Sequence, residues 1–347
     1  MRDKGEEKIE GIKLFRDETG ILQHSKFGII DRRHGYSTDD NTRALIAAVR
    51  HHKRYGGKAS VDLAKKYLEF LLFMHVNGEG FHNLLSYDKR YLDEVGTEDS
   101  IGHALWATGY TINSGVPRML KQLSRLLFDE SLPKARSFTS PRAIAFTLLG
   151  LCDYYKAFPE DPNLEKDIRT FVNFLVDRYN DNAEKDWLWF EEYMTYANPR
   201  LPQAMIETGF QLEDDSLKSI GRESLDFLIE TQFIDGVFQP IGTNGWYRKG
   251  KNRAYYDQQP IEASCMVEAC ITASRLFRVN LYRLRAREAF EWFHGKNSLG
   301  LNLVDKDNFT CFDGLTPEGL NQNKGAESTI SYLLAELSMR ENGLVNL

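Results

Sequence analysis

Two of the pairs of adjacent carboxylates in the sequence lie a few residues ahead of a run of small and apolar residues. Asp39 and Asp40 lie in YSTDDN ahead of TRALIAAV, and Glu98 and Asp99 lie in GTEDS ahead of IGHALWATG. Two carboxylates can cleave a glycosidic bond, one protonating the leaving oxygen and the other acting as base or nucleophile. Capping of a helix start explains only one acidic residue per motif. We therefore expect Asp39 to cap its helix and Asp40 to face a cavity.

Four further polar motifs precede apolar runs and extend this pattern. In chain order they are SFTSPR, TYANPRLP, YYDQQPIEA and NKGAEST. They supply Asp257 and Glu262 on either side of a Gln-Gln-Pro turn, together with Arg142 and Arg200. If all six helix starts meet at one end of the fold, they line a single funnel of carboxylates, amides, arginines and aromatic rings. Such a funnel can bind a polyhydroxylated ligand through many hydrogen bonds.

The residues that we rank as catalytic are Asp40, Asp99 and Asp257, followed by Glu262. Asp257 is favoured because the rings of YYDQQP would exclude water and raise the pKa of its carboxyl group. Glu262 follows Pro260 in the first helical turn, where a structural role at the helix dipole is the stronger alternative. For the aspartates, helix capping or hydrogen bonding to a sugar is the alternative to catalysis. The predicted substrate-binding residues are Asp39, Glu98, Arg142, Glu191, Tyr196, Arg200, Trp246, Tyr256, Gln258 and Glu327.

The arginines and histidines of these motifs leave alternatives open. Arg142 and Arg200 can form ion pairs that stabilise the fold, or they can meet an anionic group such as a phosphate. His103 lies among apolar neighbours in IGHALW and is expected to be a buried, hydrogen-bonded imidazole. His34 is the better histidine for the base of a sugar epimerase. The sequence has no metal-ligand spacing, phosphate-binding loop or nucleophile elbow, so we expect no metal and no cofactor.

Helical periodicity dominates the sequence and separates two sets of helices. Helices that follow the polar motifs are apolar or small nearly all round, which predicts burial on every side. They are predicted at 41–53, 98–112, 140–157, 199–210, 258–278 and 325–341. Helices of the second set are amphipathic, as in SVDLAKKYLEFLLFM, and are predicted at 59–75, 115–128, 162–179, 214–231 and 280–294. Inner helices alternating with outer helices predict an all-α (α/α)6 toroid.

Five outer helices follow inner partners, so the sixth is expected near the N-terminus, around Asp3–Phe15. This places a ring-closing element in residues 1–30. No linker rich in proline, glycine and serine interrupts the chain, and residues 1–347 are predicted to form one domain. Aromatic, turn-rich stretches at 20–30, 186–196 and 235–247 predict short strands or loops, of which the last two would shape the rim of a cavity.

The composition argues against several classes of protein. A net charge of -6 with scattered lysine and arginine is unlike a nucleic-acid surface. No apolar run approaches the ~18 residues of a membrane span, and the charged start MRDKGEEKIE does not resemble a signal peptide. The four cysteines fit neither a disulfide framework nor a zinc site, which predicts buried free thiols and a cytoplasmic protein. Aromatic residues reach 12%, and many lie in connections, where they can stack on sugar rings or cover the core.

Five motifs resemble those of a bacterial and archaeal (α/α)6 family: YSTDDNTRAL, TEDSIGHALWATG, WFEEYMTYANPRLPQAM, YDQQPIEA and GAESTISYLL. Members of this family occur alone or fused behind retaining glycosyltransferases, and are often encoded beside β-mannoside phosphorylases. The resemblance covers nearly the whole chain from about Gly20, and it extends distantly to six-hairpin glycosidases and sugar 2-epimerases. It implies a carbohydrate-active protein but does not define the reaction, because a fold does not determine a function.

Three functions are compatible with these observations. The first is a glycoside hydrolase-like enzyme that cleaves an oligosaccharide or glycoconjugate, with mannosides favoured by the family's genetic neighbours. The second is a non-catalytic glycan-binding partner of a glycosyltransferase. The third is a sugar epimerase, which would need histidine or tyrosine bases in the cavity instead of a carboxylate pair.

Overall fold

A computed structural model describes residues 6–345, and more than half of these residues lie in α-helices. The chain divides into two compact units, of which the first ends at Val172 and the second begins at Asn173. The helix Pro162–Asn182 runs across this division. The single domain expected from the sequence remains a prediction, and each unit is described below by itself.

The first unit begins with a 3₁₀ turn at Glu6–Ile9 and contains a second one at Arg32–His34. Its helices are α1 (Glu10–Lys13), α2 (Thr38–Tyr55), α3 (Lys58–Met74), α4 (Glu98–Ile112), α5 (Arg118–Ala135) and α6 (Pro141–Ala157), followed by α7 (Pro162–Asn182) at the division. Its strands are β1 (Ser25–Lys26), β2 (Ile29–Ile30), β3 (Tyr36–Ser37), β4 (His75–Val76), β5 (Gly80–Phe81) and β6 (Leu84–Leu85). Helix α2 packs on α3 and α4, and α4 packs on α5 and α6.

The second unit repeats the alternation of inner and outer helices. Its helices are α8 (Arg200–Gln211), α9 (Asp215–Gln232), α10 (Pro260–Phe277), α11 (Asn280–Glu291) and α12 (Ala326–Glu341). Its strands are β7 (Tyr193–Met194), β8 (Phe233–Ile234), β9 (Val237–Phe238), β10 (Tyr247–Arg248), β11 (Leu315–Thr316) and β12 (Gly319–Leu320). Helix α8 packs on α9 and α10, and α10 packs on α11 and α12.

The strands form two-residue antiparallel pairs in the connections between helices. The pairs are β1–β2, β3–β6 and β4–β5 in the first unit, and β7–β10, β8–β9 and β11–β12 in the second. The β3–β6 pair matters for the site, because it joins the segment ahead of α2 to the segment ahead of α4. Its register sets Tyr36 opposite Leu85 and Ser37 opposite Leu84.

Small residues let the inner helices approach closely, as their sequences predict. A Cβ atom on Gly109 of α4 would lie 2.3 Å from the carbonyl oxygen of Gly150 in α6. One on Gly102 would lie 2.7 Å from the carbonyl oxygen of Ala143. Contacts this short leave no room for a side chain, so the glycines fix the spacing between α4 and α6.

The six predicted inner helices and the five outer helices that follow them are present, and α4 has the predicted bounds. The largest difference is at α5, which was predicted to end at 128 and continues to Ala135 through Pro133. Phe128, Leu132 and Ala135 are buried at helical spacing, so packing of this face outweighs the local preference of proline.

The inner helices are buried as predicted, but they are not free of charge. Arg43 and Arg50 are buried in α2, Glu268 is buried in α10, and Glu336 is buried in α12. Buried partners compensate these groups: Glu336, for example, accepts a hydrogen bond from Nε of Arg340 at 2.6 Å.

The N-terminal segment packs against α2, where Nε2 of His51 lies 3.0 Å from the carbonyl oxygen of Glu6. The predicted outer helix around Asp3–Phe15 begins outside the described residues, and its role in closing the ring remains a prediction. The four cysteines are buried free thiols, as predicted. Within residues 6–345, no helix has both the length and the apolar character needed to cross a membrane.

Candidate functional site

Asp40 lies in the first turn of α2 and is almost wholly buried, with 6% of its surface exposed. Ser37 caps this helix, because its hydroxyl oxygen accepts a hydrogen bond from the backbone N–H of Asp40 at 3.2 Å. The same hydroxyl group donates to Oδ2 of Asp40 at 2.8 Å. The expectation that Asp39 caps α2 is wrong, since the serine already occupies that position. Asp39 is half-buried one residue before Asp40.

A buried arginine one turn along α2 connects Asp40 to the next inner helix. Nη1 of Arg43 lies 3.4 Å from Oδ1 of Asp40, and Nη2 lies 3.4 Å from Nε2 of His103 in α4. Arg43 and Asp40 thus form a buried ion pair within α2. His103 is 1% exposed, and its ring packs against Phe146 with a centroid distance of 3.8 Å. His103 is thus the buried imidazole that the sequence predicts, whereas Arg43 was not predicted.

Glu98 and Asp99 are neighbours in α4, but their carboxylates have different partners. The Glu98 carboxylate accepts hydrogen bonds from the backbone N–H groups of Thr139 at 2.8 Å and Ser140 at 2.7 Å. These residues lead into α6, so Glu98 holds the start of the next inner helix. Oδ1 of Asp99 instead accepts a hydrogen bond from the Ser140 hydroxyl group at 2.9 Å.

Burial raises the pKa of the Asp99 carboxyl group above its ordinary value. The hydrogen bond from Ser140 and the charges of Arg142 and Arg43 lower this pKa, but they do not outweigh burial. Arg142 is itself buried in the first turn of α6. Asp99 therefore keeps its proton to a higher pH than an exposed aspartate does, as a general acid must.

The first unit thus gathers two acids and two arginines at the starts of three consecutive inner helices. Arg43 pairs with Asp40 and is close enough to Asp99 to influence its pKa, which places it near both carboxyl groups. Asp40 has a guanidinium partner, whereas Asp99 has a hydroxyl partner and a pKa raised by burial. Two carboxyl groups with different surroundings are the usual starting point for assigning an acid and a base in an active site.

In the second unit, the acid at the start of α10 holds a loop. Glu262 is 1% exposed, and its Oε1 accepts a hydrogen bond from the backbone N–H of Ala197. Ala197 has a left-handed backbone with φ +49°, which is costly for a residue with a side chain. Glu262 thus stabilises a strained turn ahead of α8. This contact supports the structural alternative for Glu262, and its catalytic role remains a prediction.

Arg200 forms a buried ion pair, which is one of the two alternatives that the sequence leaves open. Its Nη2 donates to Oε2 of Glu268, and its Nη1 donates to Oε1 of Gln203 at 2.7 Å. Oε1 of Glu268 accepts a hydrogen bond from the Ser338 hydroxyl group at 3.2 Å. This network joins α8, α10 and α12.

Gln258 has structural partners on both ends of its side chain. Its Oε1 accepts from the indole N–H of Trp292 at 2.9 Å, and its Nε2 donates to the carbonyl oxygen of Tyr255 at 2.8 Å. Its backbone pairs with that of Leu315. Asp257, the residue before it, is partly exposed and has a left-handed backbone with φ +57°. The predicted catalytic role of Asp257 and binding role of Gln258 remain predictions.

The loop that carries Trp246 and Tyr256 forms part of the wall of a cavity of about 440 Å³ within the second unit. We call this cavity the Tyr255 pocket. Its polar lining includes Gln239, Asn244, Arg253, Tyr255, Tyr256 and Ser298. Trp246 supports the loop, because its carbonyl oxygen accepts the backbone N–H of Ala254 at 2.8 Å.

The remaining residues singled out in the sequence differ in their exposure. Glu191, Tyr196 and Glu327 are partly exposed, and Glu327 lies in the first turn of α12. His34 is exposed and lies 3.6 Å from Asp31 in the second 3₁₀ turn. Their roles in binding or catalysis remain predictions.

Asp313, which the sequence analysis did not single out, is a further acidic residue with a structural role. Its Oδ1 accepts from the backbone N–H of Gly325 at 2.5 Å and from the Ser328 hydroxyl group at 2.8 Å, at the start of α12. Glu98, Glu262 and Asp313 therefore each hold the backbone ahead of an inner helix. The sequence gives no direct signal for this role, because the stabilised backbone lies 12 to 65 residues away in the chain.

Solved structures match this chain over nearly its whole length, whereas no family model and no curated protein matches it. A sugar epimerase from a ruminal bacterium has a TM-score of 0.75 at 13% identity, with 98% of this chain and 97% of that chain covered. A GH76 α-mannanase from Bacteroides thetaiotaomicron has a TM-score of 0.69 at 11% identity, with 98% and 96% covered.

A third match is an inactive variant of the GH76A α-1,6-mannanase from Salegentibacter sp., solved with α-1,6-mannotriose. Its TM-score is 0.63 at 10% identity, with 97% of this chain and 98% of that chain covered. These likenesses show that the chain has the six-hairpin (α/α)6 glycosidase fold, which confirms the predicted all-α (α/α)6 toroid. Membership of the glycosyltransferase-associated family remains a prediction.

Proposed function

We propose that this protein is a carbohydrate-active enzyme that cleaves a glycosidic bond in an oligosaccharide or glycoconjugate, with a mannoside as substrate. The observation that carries the proposal is the difference between Asp40 and Asp99. Asp40 is buried 3.4 Å from the Arg43 guanidinium group, while burial raises the pKa of the Asp99 carboxyl group. Cleavage of a glycosidic bond uses one protonated and one ionised carboxyl group in this way.

In the proposed mechanism, Asp99 is the general acid. Burial raises its pKa and so favours the protonated form, which gives its proton to the leaving glycosidic oxygen. The arginines that oppose the pKa shift, Arg43 and Arg142, then stabilise the carboxylate that forms. Asp40, ionised beside Arg43, activates the attacking water or attacks the sugar carbon itself.

The choice of a mannoside has two independent supports. The sequence motifs resemble a family encoded beside β-mannoside phosphorylases, and the fold is shared with proteins described as mannanases. The mannotriose complex is of a variant made inactive by changing two adjacent aspartates to asparagine. Adjacent acids occur in this chain at the starts of α2 and α4. The buried free thiols support our proposal of a cytoplasmic location, and a glycosyltransferase partner is proposed from the sequence resemblance alone.

The test is to incubate the purified protein with manno-, gluco- and galacto-oligosaccharides, with and without phosphate, and to separate the products by mass. We expect shorter saccharides from a mannoside, and phosphorylated products only if phosphate replaces water as the acceptor. Thermal stabilisation by a glycan without any turnover would contradict the proposal. It would favour the non-catalytic glycan-binding partner instead.

A sugar epimerase is the second candidate, because the likeness to a sugar epimerase has a TM-score of 0.75 over 98% of this chain. Epimerisation needs a base that removes a carbon-bound proton, and Nε2 of His103 lies 3.4 Å from Arg43, the partner of Asp40. An epimerised product has the mass of its substrate and gains deuterium from heavy water. If the protein forms such a product and the His103→Gln variant does not, the epimerase is supported over an enzyme that cleaves a glycosidic bond.

A further inference from the structure

The Tyr255 pocket contains a cation that no acidic residue neutralises. The guanidinium carbon of Arg253 lies 4.8 Å from the centroid of the Tyr255 ring. Its Nη1 donates to the carbonyl oxygen of Thr231 at 2.6 Å, and its Nη2 donates to that of Gln239 at 2.8 Å. Its buried Nε has no hydrogen-bond acceptor in the described part of the chain. Arg253 is thus held in place by two backbone carbonyl groups and the Tyr255 ring.

No negatively charged group balances the positive charge of Arg253 within the described residues. Burial lowers its pKa, and the groups that oppose this effect are the phenols of Tyr255 and Tyr247, with no carboxylate among them. In residues 6–345 no aspartate or glutamate forms an ion pair with Arg253. A half-buried cation without a counter-charge is unfavourable and gives the adjoining cavity a positive potential. An anion in the pocket would relieve this imbalance.

The other lining groups are suited to a sugar. Tyr255 leaves 48% of its surface exposed, so part of the ring is available for stacking against an apolar sugar face. The side-chain amides of Gln239 and Asn244 form no hydrogen bonds with the described residues, and each can both donate and accept. The cavity volume of about 440 Å³ is within the usual range of small-molecule sites.

The backbone of the pocket loop is fixed before any ligand binds. A Cβ atom on Gly242 would lie 1.7 Å from the carbonyl oxygen of Tyr256, so the two parts of the loop touch directly. The backbone N–H of Thr243 donates to the carbonyl oxygen of Asp257 at 3.1 Å. Trp246 and Asp257 both have left-handed φ angles, of +58° and +57°. Strain of this kind is concentrated at binding sites, where a preformed geometry is useful.

We propose that the Tyr255 pocket binds an anionic sugar residue, one that carries a carboxylate or a phosphate ester. Tyr255 stacks on the ring, the amides of Gln239 and Asn244 donate to the substituent, and the charge of Arg253 favours the anion over a neutral sugar. The sugar part of this inference rests on the proposed function, whereas the preference for negative charge does not.

The test is calorimetric titration of the purified protein at low ionic strength with glucuronic acid, mannose 6-phosphate, mannose and inorganic phosphate. We expect at least one of the two anionic sugars to bind at least about tenfold more tightly than mannose. Comparing glucuronic acid with mannose 6-phosphate then shows whether the pocket prefers a carboxylate or a phosphate ester. This preference should shrink at high salt, because screening weakens the attraction. Inorganic phosphate should bind more weakly than the preferred sugar.

Two variants link the binding to the pocket. Tyr255→Ala and Asn244→Ala change partly exposed side chains and should each weaken the preferred anionic sugar about tenfold, while Tyr87→Ala is the matched control. Tyr87 is 47% exposed and lies in the first unit, so its loss should leave the affinity unchanged. Arg253→Gln should remove the preference for the anion, and if that variant does not fold, Tyr255→Ala still tests the site.

Three results would overturn the inference. They are equal affinity for mannose and both anionic sugars, unchanged affinity in Tyr255→Ala, and absence of binding by every probe. Phosphate binding as tightly as mannose 6-phosphate would overturn the sugar part alone. Because titration requires no turnover, anionic binding without cleavage of any oligosaccharide would defeat only the proposed function. Cleavage without a preference for negative charge would defeat only the inference about the pocket.

Discussion

At the start of α4 in the first unit and of α10 in the second, an acidic residue follows a polar motif and begins a buried helix. In α10 that residue, Glu262, binds the backbone of a strained turn. In α4 the two tasks are divided between neighbours: Glu98 binds the backbone ahead of α6, and Asp99 has a hydroxyl partner and a raised pKa.

This difference separates structural acids from acids suited to chemistry. A carboxylate that accepts backbone N–H groups is stabilised in its charged form and loses its function in the fold when it is protonated. A carboxyl group with a hydroxyl partner can gain or lose a proton without releasing a loop. By this criterion Asp40 and Asp99 in the first unit are the better acid–base candidates, whereas Glu262 and Asp313 in the second unit are structural acids.

The largest effect that we expect is a loss of turnover when Asp40 is changed. Asp40→Asn keeps the size of the side chain but removes its negative charge, so turnover of the mannoside that the protein cleaves should fall by about 10²–10⁴-fold. The measurement is the steady-state rate, with circular dichroism to verify folding. Asp215→Asn is the control, because Asp215 is an exposed residue in an outer helix. Turnover within tenfold of the original rate would exclude Asp40 from the chemistry.

A large loss of stability is expected in the second unit. Glu268→Gln leaves the buried Arg200 without its counter-charge, which should lower the free energy of unfolding by about 3–5 kcal/mol. Urea unfolding measures this change. In the exposed Lys218–Asp215 pair, Asp215→Asn should cost about 1 kcal/mol or less. Similar losses in the two variants would show that the buried network does not stabilise the unit.

A smaller loss of stability is expected when Glu98 is changed. Glu98→Gln weakens two charge-assisted hydrogen bonds to the start of α6, at an expected cost of about 1–3 kcal/mol. Turnover should change less than tenfold, in contrast to Asp99→Asn. Glu94→Gln, at an exposed position in the preceding loop, is the matched control for the unfolding measurement. A Glu98→Gln variant of full stability but without activity would reverse the roles that we assign to these neighbours.

The smallest effect is a dependence of stability on pH at Asp99. Because its folded pKa is raised, the stability that the protonated group contributes is fully present below its unfolded pKa of about 4 and is lost as pH rises through the folded pKa. Asn cannot titrate. Relative to the original protein, Asp99→Asn should therefore be more stable at pH 7 than at pH 4, as urea unfolding at both values can show. The opposite trend would mean that the folded pKa of Asp99 is lowered.

The order and kind of the helices could be predicted because burial leaves a direct pattern in the sequence. Inner helices such as α4 are apolar all round, and outer helices such as α3 have one buried face. Bounds were less predictable where packing overrides local preference, as at Pro133 in α5. The extension of α2 back to Thr38 has a local cause, since Ser37 and not Asp39 is its cap.

The sequence identified Asp40 and Asp99 as candidates, but it could not separate their roles from those of Glu98 and Glu262. That distinction depends on partners far away in the chain: Glu98 bonds to Ser140, and Glu262 bonds to Ala197. Arg43 was missed for a related reason, because a charged residue in a buried helix shows its role only through the groups that surround it.

The most direct test of the central claim, that Asp99 is the general acid, compares two leaving groups in Asp99→Asn. A sugar leaving group needs protonation, whereas a nitrophenol leaves without it, so only the first should depend on Asp99. We predict that Asp99→Asn lowers cleavage of the mannoside by about 10²–10⁴-fold and cleavage of the matching nitrophenyl mannoside by less than tenfold. Equal losses on both substrates, or no loss on either, would contradict this role for Asp99.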